Sequence, residues 1–380
     1  MKVLHIISSA KWTGAAAPAL DLCRALSDCG HDVLFCIGGG RSLEEKAREL
    51  GVPVWTGLGM AAGPNPLVRS RDVGALAEIL SEGGFDVVHA HLSHDHWLAA
   101  AAVRRARRAG RRVLLIRSNH HTRPLRSDPW HAHLLRRWTD AVIDVSRRTC
   151  LVHQGRLGED RAFWVHGAVD VGAFRPDVDG GPARGELGVG DGPVAGIIAH
   201  LHGDRGHVDL LAAFGEVRRA LPAARLLVIG KGSFEPRLRR MVEGTGLSDA
   251  VVFPRGFGGR WVELIAALDV SVYLAEGSEG SGRAMLEAMA MGTPVVAADV
   301  GVVAETVEDG VTGLVVPRGN RGALAGALLR LLGDEAVRQR MGEAARRTME
   351  AGYTQKQRAE AVASVYESLP TRRKTEKGRE

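Results

Sequence analysis

Glu279 lies within, and Glu287 just beyond, a glycine-rich turn built from Gly277, Gly280 and Gly282. The turn joins a β-branched run ending near Leu274 to a helical stretch opening near Arg283. A helix that starts there turns unpaired backbone N–H groups and a positive dipole end outward, which makes an anion site. Glu279, in the loop, meets a group just outside the helix end. Glu287, about one turn into the helix, reaches a polyol lying alongside it. A pyrophosphate with a sugar on one side and a ribose on the other would use both. A second group of reactive side chains closes another strand, Arg117-Ser118-Asn119-His120-His121, with two imidazoles side by side. His89 and His91 lie on a third strand, and His94 and His96 follow it. Their spacing invites a test for zinc, but His89 and His91 share one strand face, His94 and His96 fall in the following turn, and Asp95 is the one close carboxylate. No metal is expected, and His91, at the strand's carboxyl end, is expected to line a cleft.

The elements that must position these groups alternate. Val3–Ile7, Asp32–Ile37, Val87–His91, Arg112–Arg117, Ala141–Val145 and Ala162–Val165 read as strands. The helical stretches Ala16–Asp28, Ser42–Leu50, Arg71–Glu82 and Trp97–Ala109 lie between them. Near-continuous apolar runs mark parallel strands covered on both faces. The pattern restarts at Val194–Ala199 and continues through Arg225–Ile229, Val251–Phe253, Val270–Leu274, Val295–Ala297 and Gly313–Val316. The segment 170–193, rich in Gly, Pro and Asp, reads as the linker. The fold class expected is α/β, with two Rossmann-like, doubly wound parallel sheets facing a central cleft. The first domain spans 1–172 and regains a helix at 353–369; the second spans 173–352; the charged segment 371–380 is expected to be disordered. Ligands of such sheets bind outside the strands' carboxyl ends, where the strand order reverses.

The stretch from Glu279 to Glu287, followed by Ala288-Met289-Ala290-Met291-Gly292-Thr293-Pro294-Val295-Val296, resembles the signature of the family 4 retaining glycosyltransferases of GT-B fold. Gly230-Lys231-Gly232 resembles the family's glycine-rich turn, and Phe253-Pro254-Arg255-Gly256-Phe257 its base-contacting loop. Glu305 through Pro317 follow in the family's usual order. The resemblance implies that Glu279 contacts donor-sugar hydroxyls and that Glu287 binds the ribose. It places the distal phosphate on the backbone at Gly282, Arg283 and Ala284, and brings Gly230 and Phe257 to the donor. The family usually carries Gly-Arg-Leu and then Lys-Gly after the first strand of the second domain; here His200 stands for the Arg and Arg205 for the Lys. A guanidinium forks well onto phosphate oxygens. His200 matches an arginine's charge only if phosphate raises its pKa. In the first domain, Thr13-Gly14-Ala15 resembles the loop that approaches the donor phosphate, with Gly14 admitting the backbone. His120 is placed near the donor sugar and the attacking hydroxyl, with His121 and His91 on the acceptor side. Catalysis is thus expected from His120, Glu279 and Arg205, without metal or other cofactor: a hexosyl group passes from a nucleoside-diphosphate sugar to a hydroxyl with retained configuration. The leaving phosphate itself helps deprotonate the acceptor, and the protein supplies position and charge.

Composition agrees with this and narrows it. The 380 residues suit two domains. The net charge of +6 favours anionic partners, and no nucleic-acid motif accompanies it. Four cysteines without a C-x-x-C pair read as reduced thiols in the cytoplasm. Arg104, Arg105, Arg107, Arg108, Arg111 and Arg112 form a basic run that is either a solvated helix face or a patch for anionic lipid. Lipid-linked or saccharide acceptors, and peripheral contact with the inner face of the membrane, are therefore considered. A dehydrogenase is disfavoured because no G-x-G-x-x-G follows the first strand. The alternatives are a sugar-nucleotide epimerase of the same fold and a nucleotide-binding homologue whose turnover is weakened at His200.

Overall fold

The computed structural model describes residues 1–9, 14–38, 41–59, 66–255, 260–276 and 279–370. Phe257 and the segment 371–380 lie outside these described residues. The chain divides into two compact units. The first holds Met1–Gly167, Ser278–Gly280 and the segment from Gln355 on; the second holds Ala168–Gly277 and Ser281–Thr354.

In the first unit seven parallel strands form one sheet in the order β3-β2-β1-β4-β5-β6-β7. They are β1 (Lys2–Ile7), β2 (Asp32–Gly38), β3 (Val54–Leu58), β4 (Val87–Ala90), β5 (Leu114–Asn119), β6 (Ala141–Asp144) and β7 (Ala162–Trp164). β4, β5 and β6 are buried at every position because helices cover both faces, which is why the central strands read as unbroken apolar runs. One face is closed by Ala16–Asp28 and, from the far end of the sequence, by Gln355–Ser368. Ala359, Val362, Val365 and Tyr366 of that last helix share a core with Leu20, Phe35 and Ile116. The other face packs on Pro66–Glu82 and Ser93–Arg108 through Leu76, Leu80, Ala99 and Val103.

The second unit repeats the plan with six parallel strands in the order β10-β9-β8-β11-β12-β13. These are β8 (Val194–Ile198), β9 (Arg225–Ile229), β10 (Val251–Val252), β11 (Val270–Tyr273), β12 (Val295–Ala298) and β13 (Gly313–Val316). The order reverses between β1 and β4 in one sheet and between β8 and β11 in the other, the switch points at which doubly wound sheets bind ligands.

The differences from the sequence reading have local causes. β3 was absent from that reading; it is the edge strand, half exposed and interrupted by Gly57, so it carries no apolar run. The helix expected from Trp97 starts at Ser93, so His94 and His96 stand in its first turn and not in a loop. Asp95 makes that start: one carboxylate oxygen accepts from Leu92 N at 2.9 Å and the other from Ser8 N at 2.9 Å. The helix expected to open near Arg283 begins at Glu279.

Candidate active site

In the first unit the carboxyl ends of β4 and β5 bring a row of imidazoles together. β1 and β4 pair in register so that His5 lies directly beside His89. His89 and His91, two residues apart, fall on one face with ring centroids 4.6 Å apart. His5 Nδ1 is 2.9 Å from His91 Nε2, and His91 Nδ1 is 2.9 Å from His120 Nε2. His120 Nδ1 meets Glu279 Oε2 at 2.5 Å, and the Glu279 backbone N–H donates to His120 O at 2.8 Å. The other carboxylate oxygen of Glu279 lies 2.6 Å from Arg358 Nη2. All of these side chains are buried. The cavity beside His120, Glu279 and Arg358 measures ≈ 10 Å³, room for about one water. A sugar therefore reaches His120 only if one of these contacts opens.

Burial fixes the charge states around the row. His5 is pushed down to about 3 by burial, with the Arg358 charge acting the same way. His89 and His91 are held well below the usual histidine range, first by burial and then by neighbouring imidazoles and Arg117. They are neutral at physiological pH. Arg117 is itself lowered to about 10 by burial. Below the row, Asp144 accepts from Asn119 Nδ2 at 2.8 Å and binds His153 Nδ1 at 2.8 Å, which holds the end of β5 and hence His120. His121, by contrast, is exposed. His91 does not line an open surface: it is 1% exposed, with both ring nitrogens bonded to histidines.

Among the described residues His5, His89 and His91 offer ligand atoms within 4.8 Å of one another, the spacing of a metal-ligand set. Five of their six ring nitrogens are already engaged, His5 Nε2 being the exception. His89 bonds Tyr366 Oη at 2.6 Å and Ser118 Oγ at 2.7 Å, and His5 Nδ1 bonds His91. An ion would have to break these bonds, and the row fits a hydrogen-bonded chain better than a ligand set.

Gly14 and Gly280 meet in the same unit. A Cβ on Gly280 would lie 2.5 Å from Gly14 Cα and 2.6 Å from its carbonyl oxygen, so only glycine permits this backbone approach.

In the second unit Glu287 is 2% exposed, although a glutamate on a helix usually faces water. Its Oε2 accepts from the Trp261 indole N–H at 2.8 Å, and its Oε1 from Arg283 Nε at 2.7 Å. Because the helix begins at Glu279, the N–H groups of residues 279–281 lack a carbonyl partner inside it. Gly282, Arg283 and Ala284 stand further in, where N–H groups bond within the helix.

His200 is exposed in the loop after β8. Arg205 is half-buried; its Nε lies 3.5 Å from Asp204 Oδ1, while its buried Nη1 has no hydrogen-bond partner. Gly230 closes β9 against this loop: a Cβ there would lie 1.9 Å from Ala199 O. Leu201 N donates to Lys231 O at 3.0 Å, lacing the two turns together. A recess of ≈ 150 Å³ opens at the carboxyl ends of β8, β11, β12 and β13, bordered by Gly203, Asp204, Gly206, Leu274, Pro317 and Asn320.

Two family profiles match the chain: Glycosyltransferase Family 4 over residues 12–172 and Glycosyl transferases group 1 over residues 183–348. The GDP-mannose-dependent alpha-(1-6)-phosphatidylinositol monomannoside mannosyltransferase of Mycolicibacterium smegmatis is 32% identical over 325 residues, 81% of this chain and 82% of that protein. The chain belongs to the family 4 glycosyltransferases. As such it is a retaining enzyme that takes its sugar from a nucleotide-sugar donor. This family 4 glycosyltransferase is also 28% identical to the N-acetyl-alpha-D-glucosaminyl L-malate synthase of Bacillus anthracis, over 77% of this chain and 76% of that one. Among solved structures, HepE of Anabaena in complex with UDP and glucose superposes with a TM-score of 0.80 at 21% identity, covering 97% of this chain and all of that one. The fold is GT-B.

Trp261, Arg358, His5 and Tyr366 were not singled out by sequence reasoning. His5 and His89 carried a usable signal, a histidine inside each of two apolar strands. Arg358 had none, since its partner lies 79 positions away.

Proposed function

We propose that this enzyme transfers a hexosyl group from GDP-mannose, or a closely similar nucleoside-diphosphate hexose, to a hydroxyl on a lipid-linked acceptor. The observation that carries the site reading is the buried His120–Glu279–Arg358 cluster. A buried ion pair and imidazole that hold one another present a polar surface that a sugar's hydroxyls can take over. In this reading Glu279 and His120 hold the donor sugar, and Glu287, already shaped by Trp261 and Arg283, receives the ribose hydroxyls. Arg205, whose buried Nη1 has no hydrogen-bond partner, binds the diphosphate, with His200 beside it. Gly14 and Gly230 let backbone segments pack closely beside the phosphate, and Gly282, Arg283 and Ala284 build the helix whose N-terminus presents it. His121, exposed next to His120, faces the acceptor. The departing phosphate takes the acceptor's proton on the face the sugar leaves, so configuration is retained; the protein contributes position and charge.

The lipid acceptor rests on the first unit's surface. Residues 104–161 contain fifteen arginines against five acidic residues, a net +10 in a chain of net +6. Three large apolar side chains are exposed in the same stretch, Trp130, Leu151 and Val152, and Trp164 follows just beyond it. On the helix Arg147–Leu157 the exposed positions are Arg147, Arg148, Leu151, Val152, Gly155 and Arg156, a face that joins apolar and cationic groups. Such a face suits an anionic lipid surface. Part of the earlier run is structural instead: Arg107 pairs with Asp140, and Arg104 lies over the Trp138 ring. The GDP-mannose-dependent relative acts on a phosphatidylinositol mannoside, as its name states.

The test incubates purified enzyme with radiolabelled GDP-mannose, UDP-glucose or UDP-N-acetylglucosamine and vesicles of phosphatidylinositol or phosphatidylcholine. Label entering the organic phase from one donor, as an α-linked product, supports the reading. Transfer only to a water-soluble acceptor would remove the lipid part, and free isomerised sugar nucleotide would restore the epimerase alternative.

A further inference from the structure

We propose that His91, backed by His5, is a positioning residue that fixes the proton of His120 on Nδ1, the nitrogen facing Glu279. This deepens the reading of His120 and Glu279 as sugar-holding groups and rests on it.

The argument is one of donors and acceptors. With the Arg358 guanidinium 2.6 Å from Oε1, Glu279 is a carboxylate and only accepts. His120 Nδ1 therefore donates across the 2.5 Å contact. A neutral His120 then has its lone pair on Nε2, which accepts from His91 Nδ1–H at 2.9 Å. His91 Nε2 in turn accepts from His5 Nδ1–H at 2.9 Å. Three imidazoles then carry three Nδ1 protons, and one lone pair is left over on His5 Nε2. That atom is buried and has no hydrogen-bond partner. Reversing every proton would instead place an unpaired N–H there and protonate Glu279 beside Arg358. Burial keeps His5 and His91 neutral, so neither interrupts the row as an imidazolium. The groups facing His91 are His5, His89, His120 and Arg117. His89, stacked at 4.6 Å, has its own nitrogens on Tyr366 and Ser118 and walls the row without joining it.

The consequence appears when a sugar draws Glu279 away. The carboxylate then no longer dictates the tautomer of His120, but the His91 Nδ1–H still occupies Nε2. His120 thus presents an N–H, and not a lone pair, to the sugar oxygen.

The experiment compares His91→Asn, which keeps an N–H near the Nδ1 position, with His91→Leu, which has none. Both are read by kcat, nucleotide Kd and the ¹⁵N shifts of His120 with GDP-mannose bound. In His91→Leu, kcat should fall about 10- to 100-fold, nucleotide Kd should be unchanged, and Nε2–H signal should grow on His120. His91→Asn should recover most of kcat. Equal losses in both variants, or an unchanged tautomer in His91→Leu, would overturn the proposal. If His91→Leu does not fold, the wild-type spectrum decides: Nδ1–H on His5, His91 and His120 supports it, and Nε2–H on His91 ends it. His120→Ala separates the two layers, because undiminished kcat there removes the sugar-holding role of His120 whatever the ¹⁵N pattern of the row.

Discussion

Acidification from pH 8 to pH 5 should weaken the first unit well before its carboxylates protonate. His5 has a folded pKa of about 3 against an ordinary 6.5, caused by burial and by Arg358. The folded value is the lower one, so between the two the unfolded chain binds a proton that the folded chain does not. Stability is complete above pH 6.5 and falls as pH falls toward 3. At pH 5 the unfolded chain has gained about 2 kcal/mol from this one side chain. His89, His91 and His96 are lowered by the same burial and act in the same direction. Asp95, raised by burial, works the other way, but only as pH approaches the carboxyl range. The loss is a sizeable fraction of the roughly 5–15 kcal/mol that holds a domain together. Six of the seven tryptophans precede residue 168, so urea unfolding followed by tryptophan emission reports mainly on this unit. Midpoints measured at pH 8, 7, 6 and 5 should drop progressively below 7. His5→Phe should be less stable at pH 8 yet lose about 2 kcal/mol less on going to pH 5. A flat wild-type profile, or an unchanged slope in His5→Phe, would refute the assignment of a neutral, buried His5.

Three further outcomes follow from the geometry. Gly280→Ala should destabilise the first unit by about 1–3 kcal/mol, because the new methyl meets Gly14 backbone and not a yielding side chain; thermal unfolding reads it, and an unchanged Tm would contradict the contact. Tyr366→Phe leaves His89 Nδ1 buried without its partner and should cost about 1–3 kcal/mol in urea unfolding, with kcat retained in whatever fraction stays folded. Trp261→Phe removes the indole donor from Glu287, and calorimetric titration should show nucleoside-diphosphate affinity weakened by about 3- to 10-fold; unaltered binding would mean that the indole does not orient the carboxylate.

What could be read from the residues was what is local. The strands of both sheets, the edge strand β3 excepted, announced themselves because burial on two faces demands apolar runs, and the Glu279 to Glu287 stretch announced a turn and a helix through its glycines and its register. What escaped was set by partners far away in sequence. Nothing around Glu287 names Trp261, and nothing around His120 names Arg358. The start of the Ser93–Arg108 helix was hidden because the N–H of Leu92, which precedes it, is taken by Asp95 from inside the helix, and Leu92 itself is no capping residue type. Gly280, Ser281 and Gly282 read as loop by propensity, yet they are helical. His91 read as a cleft residue because strand ends usually face one; its burial depends on His5 and His120 closing over both nitrogens.

The helix Gln355–Ser368 bears on how the chain is made. Its Val362, Val365 and Tyr366 complete the core around Leu20 and Phe35. A ribosome delivers those two residues near the beginning and the helix only after the whole intervening unit has been synthesised. The half of the protein that emerges first is thus the half that must wait, with part of one apolar face uncovered. During that interval a chaperone has a defined surface to hold, and truncation at residue 354 would leave it uncovered for good.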